Sequence, residues 1–341
     1  MENWMRSSSK ENNIVLSSRI RLARNLDSIP FPDRLDNEKG RDVVKQIEKA
    51  FYTSAHTEKT FNTKYLWETG DMVNLSYFER HLISAKLLNN SSKSAFIVDK
   101  DETVSIMLNE EDHIRLQCIA AGLNLEETYD MANKLDNLLE ENLDYAFDEK
   151  LGYLAACPTN IGTGLRASVM LHLPALSFNN DMNKILNAVT QIGMTVRGLY
   201  GEGSKAEGNL YQLSNQITLG LSEEEILSNL KSVVNEIINQ EIYTRERLLN
   251  THKYELEDKM FRSLGILKSA VLLNSKECLN LLSNVRMGVE MGIINDVDSE
   301  KLNSLLVEIQ SATLQLKANG RLSDRERDYQ RALLVRERLE K

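Results

Sequence analysis

Hydrophobic spacing changes character once along this chain, and that change bounds what it can fold into. From residue 14 to about 218, short runs alternate apolar and polar side chains at a period of two, with helical runs between them. Residues 14–22 read Ile-Val-Leu-Ser-Ser-Arg-Ile-Arg-Leu. Ile14, Leu16, Ile20 and Leu22 share one parity, and Ser17, Arg19 and Arg21 the other. That pattern predicts a strand with an apolar core face and a basic working face. Residues 103–108 and 166–173 alternate likewise, the second setting Arg166, Ser168, Met170 and His172 against Ala167, Val169, Leu171 and Leu173. Residues 95–99, 194–200 and 209–218 are further strand candidates. Leu135, Leu138, Leu139, Ala146 and Phe147 predict one long helix, and Met182, Ile185, Leu186 and Val189 another that stops at Gly193.

After Ser222-Glu223-Glu224-Glu225, a capping-box pattern, strand signals vanish. From about residue 245 everything reads as helix. Leu302, Leu305, Leu306 and Ile309 keep helical spacing, Gly320 stops that helix, and Ser323 with Glu326 caps the next. The expected organisation is an extension over residues 1–13, a layered strand-and-helix domain over 14–245, and a helical domain over 246–341. Spacing leaves the strand order open.

A formal charge of −9 argues against general affinity for nucleic acid or acidic membranes, so any arginine cluster here is a local device. Cys118, Cys157 and Cys278 are far apart, with no C-x-x-C pair and no metal-ligand spacing, which suits a reducing compartment. The chain has neither an apolar leader nor a run of membrane-spanning length, so a cytoplasmic location is expected.

Four segments carry chemistry. Arg19 and Arg21 point together from one strand face, an arrangement that a polyanion between them stabilises and that two unrelated surface salt bridges would also explain. Cys157-Pro158-Thr159-Asn160-Ile161-Gly162-Thr163-Gly164-Leu165-Arg166-Ala167-Ser168 joins a thiol, two loop glycines and an arginine leading into a strand. Asn109-Glu110-Glu111-Asp112 by itself reads as a helix N-terminus, with Arg115 one helical turn after Glu111. Arg197 precedes Gly198-Leu199-Tyr200-Gly201-Glu202. Cys118 and Cys278 sit in apolar helical patterns and read as core.

Together these segments closely resemble the ATP:guanidino phosphotransferases, the family of creatine and arginine kinases, in the branch whose acceptor is an arginine in a protein. The resemblance covers nearly the whole chain. It implies an α+β catalytic fold, a mainly antiparallel sheet flanked by helices (glutamine-synthetase-like), followed by an all-α C-terminal domain. It also implies that Arg19, Arg21, Arg115, Arg166 and Arg197 hold the phosphates of ATP. Ser17, Ser18, Ile20, Ala167, Ser168, Val169, Met170, Gly198, Leu199, Tyr200, Gly201 and Glu202 line the nucleotide, and His81 lies beside the adenine. Mg²⁺ is expected on phosphate oxygens and water rather than in a protein cage.

The acceptor chemistry adds its own demands. A guanidinium of pKa above 12 presents no lone pair at neutral pH, and removing its proton first with a carboxylate of pKa about 4 is roughly 12 kcal/mol uphill. The proton therefore leaves with or after N–P bond formation, and the base needs fixed position more than strength. By resemblance Glu111 and Glu202 are the two carboxylates that grip the fork. Glu111 is assigned as base and Glu202 as clamp, although the pattern does not settle the division. Cys157 matches the family's active-site cysteine, whose thiolate steers electron distribution without forming a covalent intermediate.

Kinases of small guanidino compounds carry a helical domain ahead of this first strand, whereas thirteen residues precede Ile14 here, so an open acceptor side suited to a protein is expected. Gly201-Glu202-Gly203-Ser204 and Gly208-Asn209-Leu210-Tyr211-Gln212-Leu213-Ser214-Asn215-Gln216 have the wording of that branch. Arg327-Asp328-Tyr329-Gln330-Arg331-Ala332 matches its phosphoarginine-binding motif, with Arg327 and Arg331 expected to face one phosphate. A solvated, salt-bridged helix is the alternative from spacing alone. The resemblance further implies a zinc-binding activator (McsA), a Clp ATPase and the CtsR repressor as partners, and apolar helical faces make a homodimer an expectation. Two other functions stay open at this point: a free-arginine kinase, and a phosphoarginine-reading adaptor without catalysis.

Overall fold

The computed structural model describes residues 3–5, 14–198, 206–318 and 320–340. Its centre is an eight-stranded sheet in the order β2-β3-β4-β5-β1-β8-β10-β9, antiparallel at each adjacent pair. The strands are β1 (Val15–Arg24), β2 (Phe61–Tyr65), β3 (Ala95–Asp99), β4 (Val104–Leu108), β5 (Ile114–Ala121), β8 (Leu165–His172), β9 (Met194–Arg197) and β10 (Leu210–Asn215). β6 (Phe147–Asp148) and β7 (Gly152–Tyr153) form a separate small hairpin.

One sheet face is apolar. Ile20, Leu22, Ile106, Leu116, Cys118, Ala167 and Val169 are fully buried or nearly so under helices Asn37–Phe51, Leu125–Glu140, Met182–Gln191 and the first turns of Glu223–Thr251. The other face carries the arginines, walled on one side by a small cluster of Leu82, Ile83, Leu87, Phe96 and Met107. From residue 253 onward the described chain is helical, and its core takes in Leu16, Ile119 and Leu210 from the sheet. No helix among the described residues is long and apolar enough to cross a membrane.

Several sequence expectations need correction. The alternation in β1 breaks at a bulge between Val15 and Ser17, which turns Leu16 toward the C-terminal helices instead of the sheet's main core. Residues 114–121 form a strand, not a helix. Asn109, at φ +60°, and the Asn109 N–H to His113 carbonyl bond reverse the chain, so Cys118 is buried in the sheet core. The helix begun at Leu125 ends at Glu140. Ala146 instead donates to the Asn25 carbonyl, and Phe147 enters the hairpin. The helix holding Leu302 and Leu306 ends at Glu308, and a second, Ser311–Lys317, precedes Gly320. Both predicted caps form: Ser222 with Glu225, and Ser323 with Glu326.

The C-terminal helices are tied to the catalytic layer by buried charge. Glu79 accepts from Ala312 N–H and Thr313 N–H at 2.8 Å and from Thr313 Oγ1 at 2.9 Å, capping helix Ser311–Lys317 from helix Asp71–Glu79. Glu79→Ala leaves those donors unmet in a buried place and is expected to cost about 2 kcal/mol, read as a lower denaturant midpoint.

Candidate active site

Sheet register gathers the basic residues. Arg21 lies opposite Arg166 on one side and Gln117 on the other, Arg19 lies opposite Ser168 and Ile119, and Arg115 lies opposite Met107. Arg197 at the end of β9 lies opposite Gln212. Since facing residues of adjacent strands share a sheet face, the five arginines named from sequence all project from the working face. They line one cavity of about 440 Å³ together with His81, Lys86, Glu111, Cys157 and Gln212.

The arginines repel one another, and Glu110 offsets that repulsion in part. Burial, then Arg115, Arg166 and Arg197, push Arg19 down to about 9, and burial with Arg19, Arg115 and Arg166 depresses Arg21 further. Arg21 Nε is buried with no hydrogen-bond partner among the described residues, and so is Gln212 Oε1. Like charges held this close disfavour one another until a polyanion arrives, so the donor set fits a triphosphate.

Each residue of Asn109-Glu110-Glu111-Asp112 has a separate task. Asn109 donates to the Gly40 and Lys93 carbonyls and sets the turn. Glu110, 1 % exposed, accepts from Arg115 at 2.6 Å and from Ser84. Asp112 accepts from Asn25 and from the Ala156 N–H, both at 2.7 Å, and thereby anchors the chain entering Cys157. Glu111 lines the cavity beside Glu110, and its carboxylate meets Lys86 Nζ at 2.7 Å.

The cysteine loop is pinned by close backbone contact. Gly162 and Gly164 have φ of +110° and +65°, and a Cβ at either would come within 2.6 Å of a backbone oxygen, Thr218 O or Ala23 O. Thr218 Oγ1 donates to the Thr159 and Ile161 carbonyls, and Cys157 Sγ lies 3.1 Å from Thr159 Oγ1.

His81 sits at φ +62° in a turn after helix Asp71–Glu79, with Gln117 donating to its carbonyl at 2.7 Å. Burial first and Arg19 second push its imidazole down to about 3, so the ring is neutral at pH 7. Its ring meets Trp4, 5.7 Å between centroids.

Not every expected residue faces the cavity. Ser17, Ser168 and Met170 line a small neighbouring void with Trp4 and Gln212. Ile20, Ala167 and Val169 face the core, and Ser18 donates to the Gly122 carbonyl. Gly198 is buried at the end of β9, and Leu199, Tyr200, Gly201 and Glu202 lie outside the described residues. Lys86, Gln117 and Gln212 were missed in the sequence; parity with Arg115 on one strand would have found Gln117, whereas Gln212 meets Arg197 only through the register of two strands.

In the C-terminal motif, Arg331 is 2 % exposed and donates to the Ile309 and Leu273 carbonyls and to Asp328. Arg327, partly exposed, pairs with Asp324; Tyr329 is exposed, Gln330 partly so, and Ala332 is buried. The two arginines thus do not share one open surface.

The family model of the ATP:guanido phosphotransferase, C-terminal catalytic domain, matches residues 42–244. The chain belongs to the ATP:guanido phosphotransferase family. The model of the protein-arginine kinase McsB C-terminal domain matches residues 253–341. The chain is similar to the protein-arginine kinase of Clostridium kluyveri, 63% identical over 99% of both chains, and to that of Clostridium acetobutylicum, 61% identical over 99% of this chain and 100% of the other. Among solved structures, lombricine kinase superposes with a TM-score of 0.58 at 26% identity, covering 69% of this chain and 68% of that one. The duplicated taurocyamine kinase of Schistosoma mansoni gives 0.61 at 23% identity, covering 76% of this chain and 39% of that one, a likeness of fold. The antiparallel sheet with flanking helices expected of the family is the one observed.

The Glu110–Arg115 pair has a pH signature. Burial alone would raise the Glu110 carboxyl, but Arg115, with Ser84, outweighs it and holds it at about 2. A carboxylate depressed in the folded state stabilises above its unfolded pKa near 4.5, and that contribution is lost as pH falls through about 2. Between those limits wild-type stability is expected to fall more steeply than that of Glu110→Gln, measured by denaturant midpoints across pH.

Proposed function

We propose that this enzyme transfers the γ-phosphoryl group of ATP to arginine side chains of proteins, giving phosphoarginine and ADP. The observation that carries the reading is one cavity holding five guanidinium groups beside the Glu111 carboxylate, which is paired with half-exposed Lys86. Full-length likeness to protein-arginine kinases supports the protein acceptor.

Arg19, Arg21, Arg115, Arg166 and Arg197 bind the polyphosphate and stabilise the charge that spreads over the transferred group's oxygens. Neutral His81 offers the base a flat partner without adding charge. Mg²⁺ bound to the nucleotide would neutralise phosphate charge, and among the described residues no group of three or more His, Cys, Asp or Glu could hold a metal ion, so phosphate oxygens and water would carry it. Glu111 orients the acceptor guanidinium by accepting its N–H groups and takes the proton as the N–P bond forms and the bond from phosphorus to the ADP oxygen breaks. Glu202 is proposed as the second carboxylate on the fork. Cys157 lines the same cavity and is proposed to lie beside the acceptor.

The motif Arg327–Ala332 is proposed as a phosphoarginine site, with Arg327 as the surface donor and Arg331 holding the helix in place. The zinc-binding activator McsA, a Clp ATPase acting on marked proteins, the CtsR repressor and a second copy of the chain are the proposed partners, in a cytoplasmic stress response. Free arginine and an arginine-rich protein offered separately with Mg-ATP test the acceptor class. Phosphorus NMR is expected to show an N–P resonance with the protein. A resonance with free arginine alone would reassign the enzyme to small acceptors.

A further inference from the structure

Among the described residues the cation on Glu111 is a lysine of the enzyme itself, and its placement is built rather than incidental. Helix Ala85–Asn89 is fastened to Glu110 at both ends. Its cap, Ser84, accepts from the Leu87 N–H at 3.1 Å and donates to the Glu110 carboxylate, and Asn90 Nδ2 donates to the Glu110 carbonyl at 2.9 Å. Lys86, on that helix, is thereby held over the residue following Glu110, and its ammonium meets Glu111 at 2.7 Å inside the cavity that Cys157 also lines. The other two acids of the motif are committed to Arg115 and Ser84, and to Asn25 and the Ala156 N–H. Glu111 is only 21 % exposed but Lys86 is 55 % exposed, so the ammonium has a route to water that leaves the carboxylate in place.

We propose that Lys86 occupies the acceptor's place on Glu111 in the substrate-free enzyme and is displaced by the incoming guanidinium, which makes it a built-in competitor for the acceptor position. The inference rests on the reading of Glu111 as the acceptor carboxylate. An ammonium is a compact point charge, whereas a guanidinium presents two parallel N–H donors to one carboxylate. Arginine therefore gains a bond in exchanging with Lys86, and a substrate lysine would replace like with like. Burial works against the charge on Lys86, but the hydrogen bond to Glu111 and the charges of Glu111, Glu110 and Cys157 outweigh it and hold its pKa above the ordinary value. The placeholder is thus fully charged at neutral pH.

The test titrates an arginine peptide, and the same peptide with lysine in its place, onto the full-length enzyme with Mg-ADP by calorimetry. Lys86→Met, which keeps most of the side chain's length without the charge, is expected to bind the arginine peptide about two- to five-fold tighter, the range a half-exposed ion pair supports. It should tighten the lysine peptide by the same factor, because both peptides displace the same ion pair. Lys86→Arg should stay at the wild-type affinity or below. Unchanged or weaker binding of the arginine peptide by Lys86→Met would overturn the proposal. The titration needs no turnover, so it decides this point even if wild type transferred no phosphate, a result that would instead count against the proposed function.

Discussion

Glu111→Gln is expected to lower kcat for protein phosphorylation by about 10²–10⁴-fold, with the KM for ATP within a factor of two of wild type. The amide keeps the carboxylate's shape but neither takes a proton nor pairs with the acceptor cation. Folding should hardly register the change, since the ion pair it removes is with half-exposed Lys86 and such pairs contribute no more than about 1 kcal/mol. The adjacent substitution separates chemistry from architecture. Glu110→Gln removes a buried partner of Arg115 and should raise the KM for ATP and lower stability at pH 7 together. Steady-state kinetics and thermal melts on the two variants give opposite signatures if the motif is divided as the geometry shows.

Arg21→Met is expected to lose about 10²–10³-fold in kcat/KM while making the nucleotide-free protein more stable. Arg21 is repelled by Arg19, Arg115 and Arg166, its Nε has no hydrogen-bond partner among the described residues, and its charged form is disfavoured in the folded state. Replacing it with an apolar chain of similar reach relieves repulsion that Glu110 offsets only in part. The melting temperature without ligand should rise above wild type, and the further rise on adding Mg-ATP should shrink. A functional charge cluster held at the expense of stability behaves this way, whereas arginines serving as structural salt bridges would show the reverse.

Much of this site was legible because strand parity is a strict geometric rule. Arg19 and Arg21 alternate with Ile20 and Leu22, and Arg166 with Ala167, so the two faces could be told apart before any strand order was known. The order itself was not legible. Arg115 reaches the same face through a tight turn at Asn109, and the run of acids before it imitates a helix N-terminus. The bulge that turns Leu16 away had no signal in a run of apolar residues. Lys86 was missed for a different reason: its role comes from Ser84 and Asn90 fastening a five-residue helix to Glu110, contacts across 26 and 20 residues of chain. The buried setting of Arg331 was hidden likewise, since its carbonyl partners, Leu273 and Ile309, lie on other segments.

Mass spectrometry of an arginine-rich protein incubated with the enzyme and Mg-ATP tests the central claim most directly, under non-acidic handling because the N–P bond is acid-labile. The account predicts phosphate on arginine side chains with wild type and none above background with Glu111→Gln. Phosphate on serine, threonine or tyrosine alone, or phosphoarginine at equal levels in both samples, would contradict it.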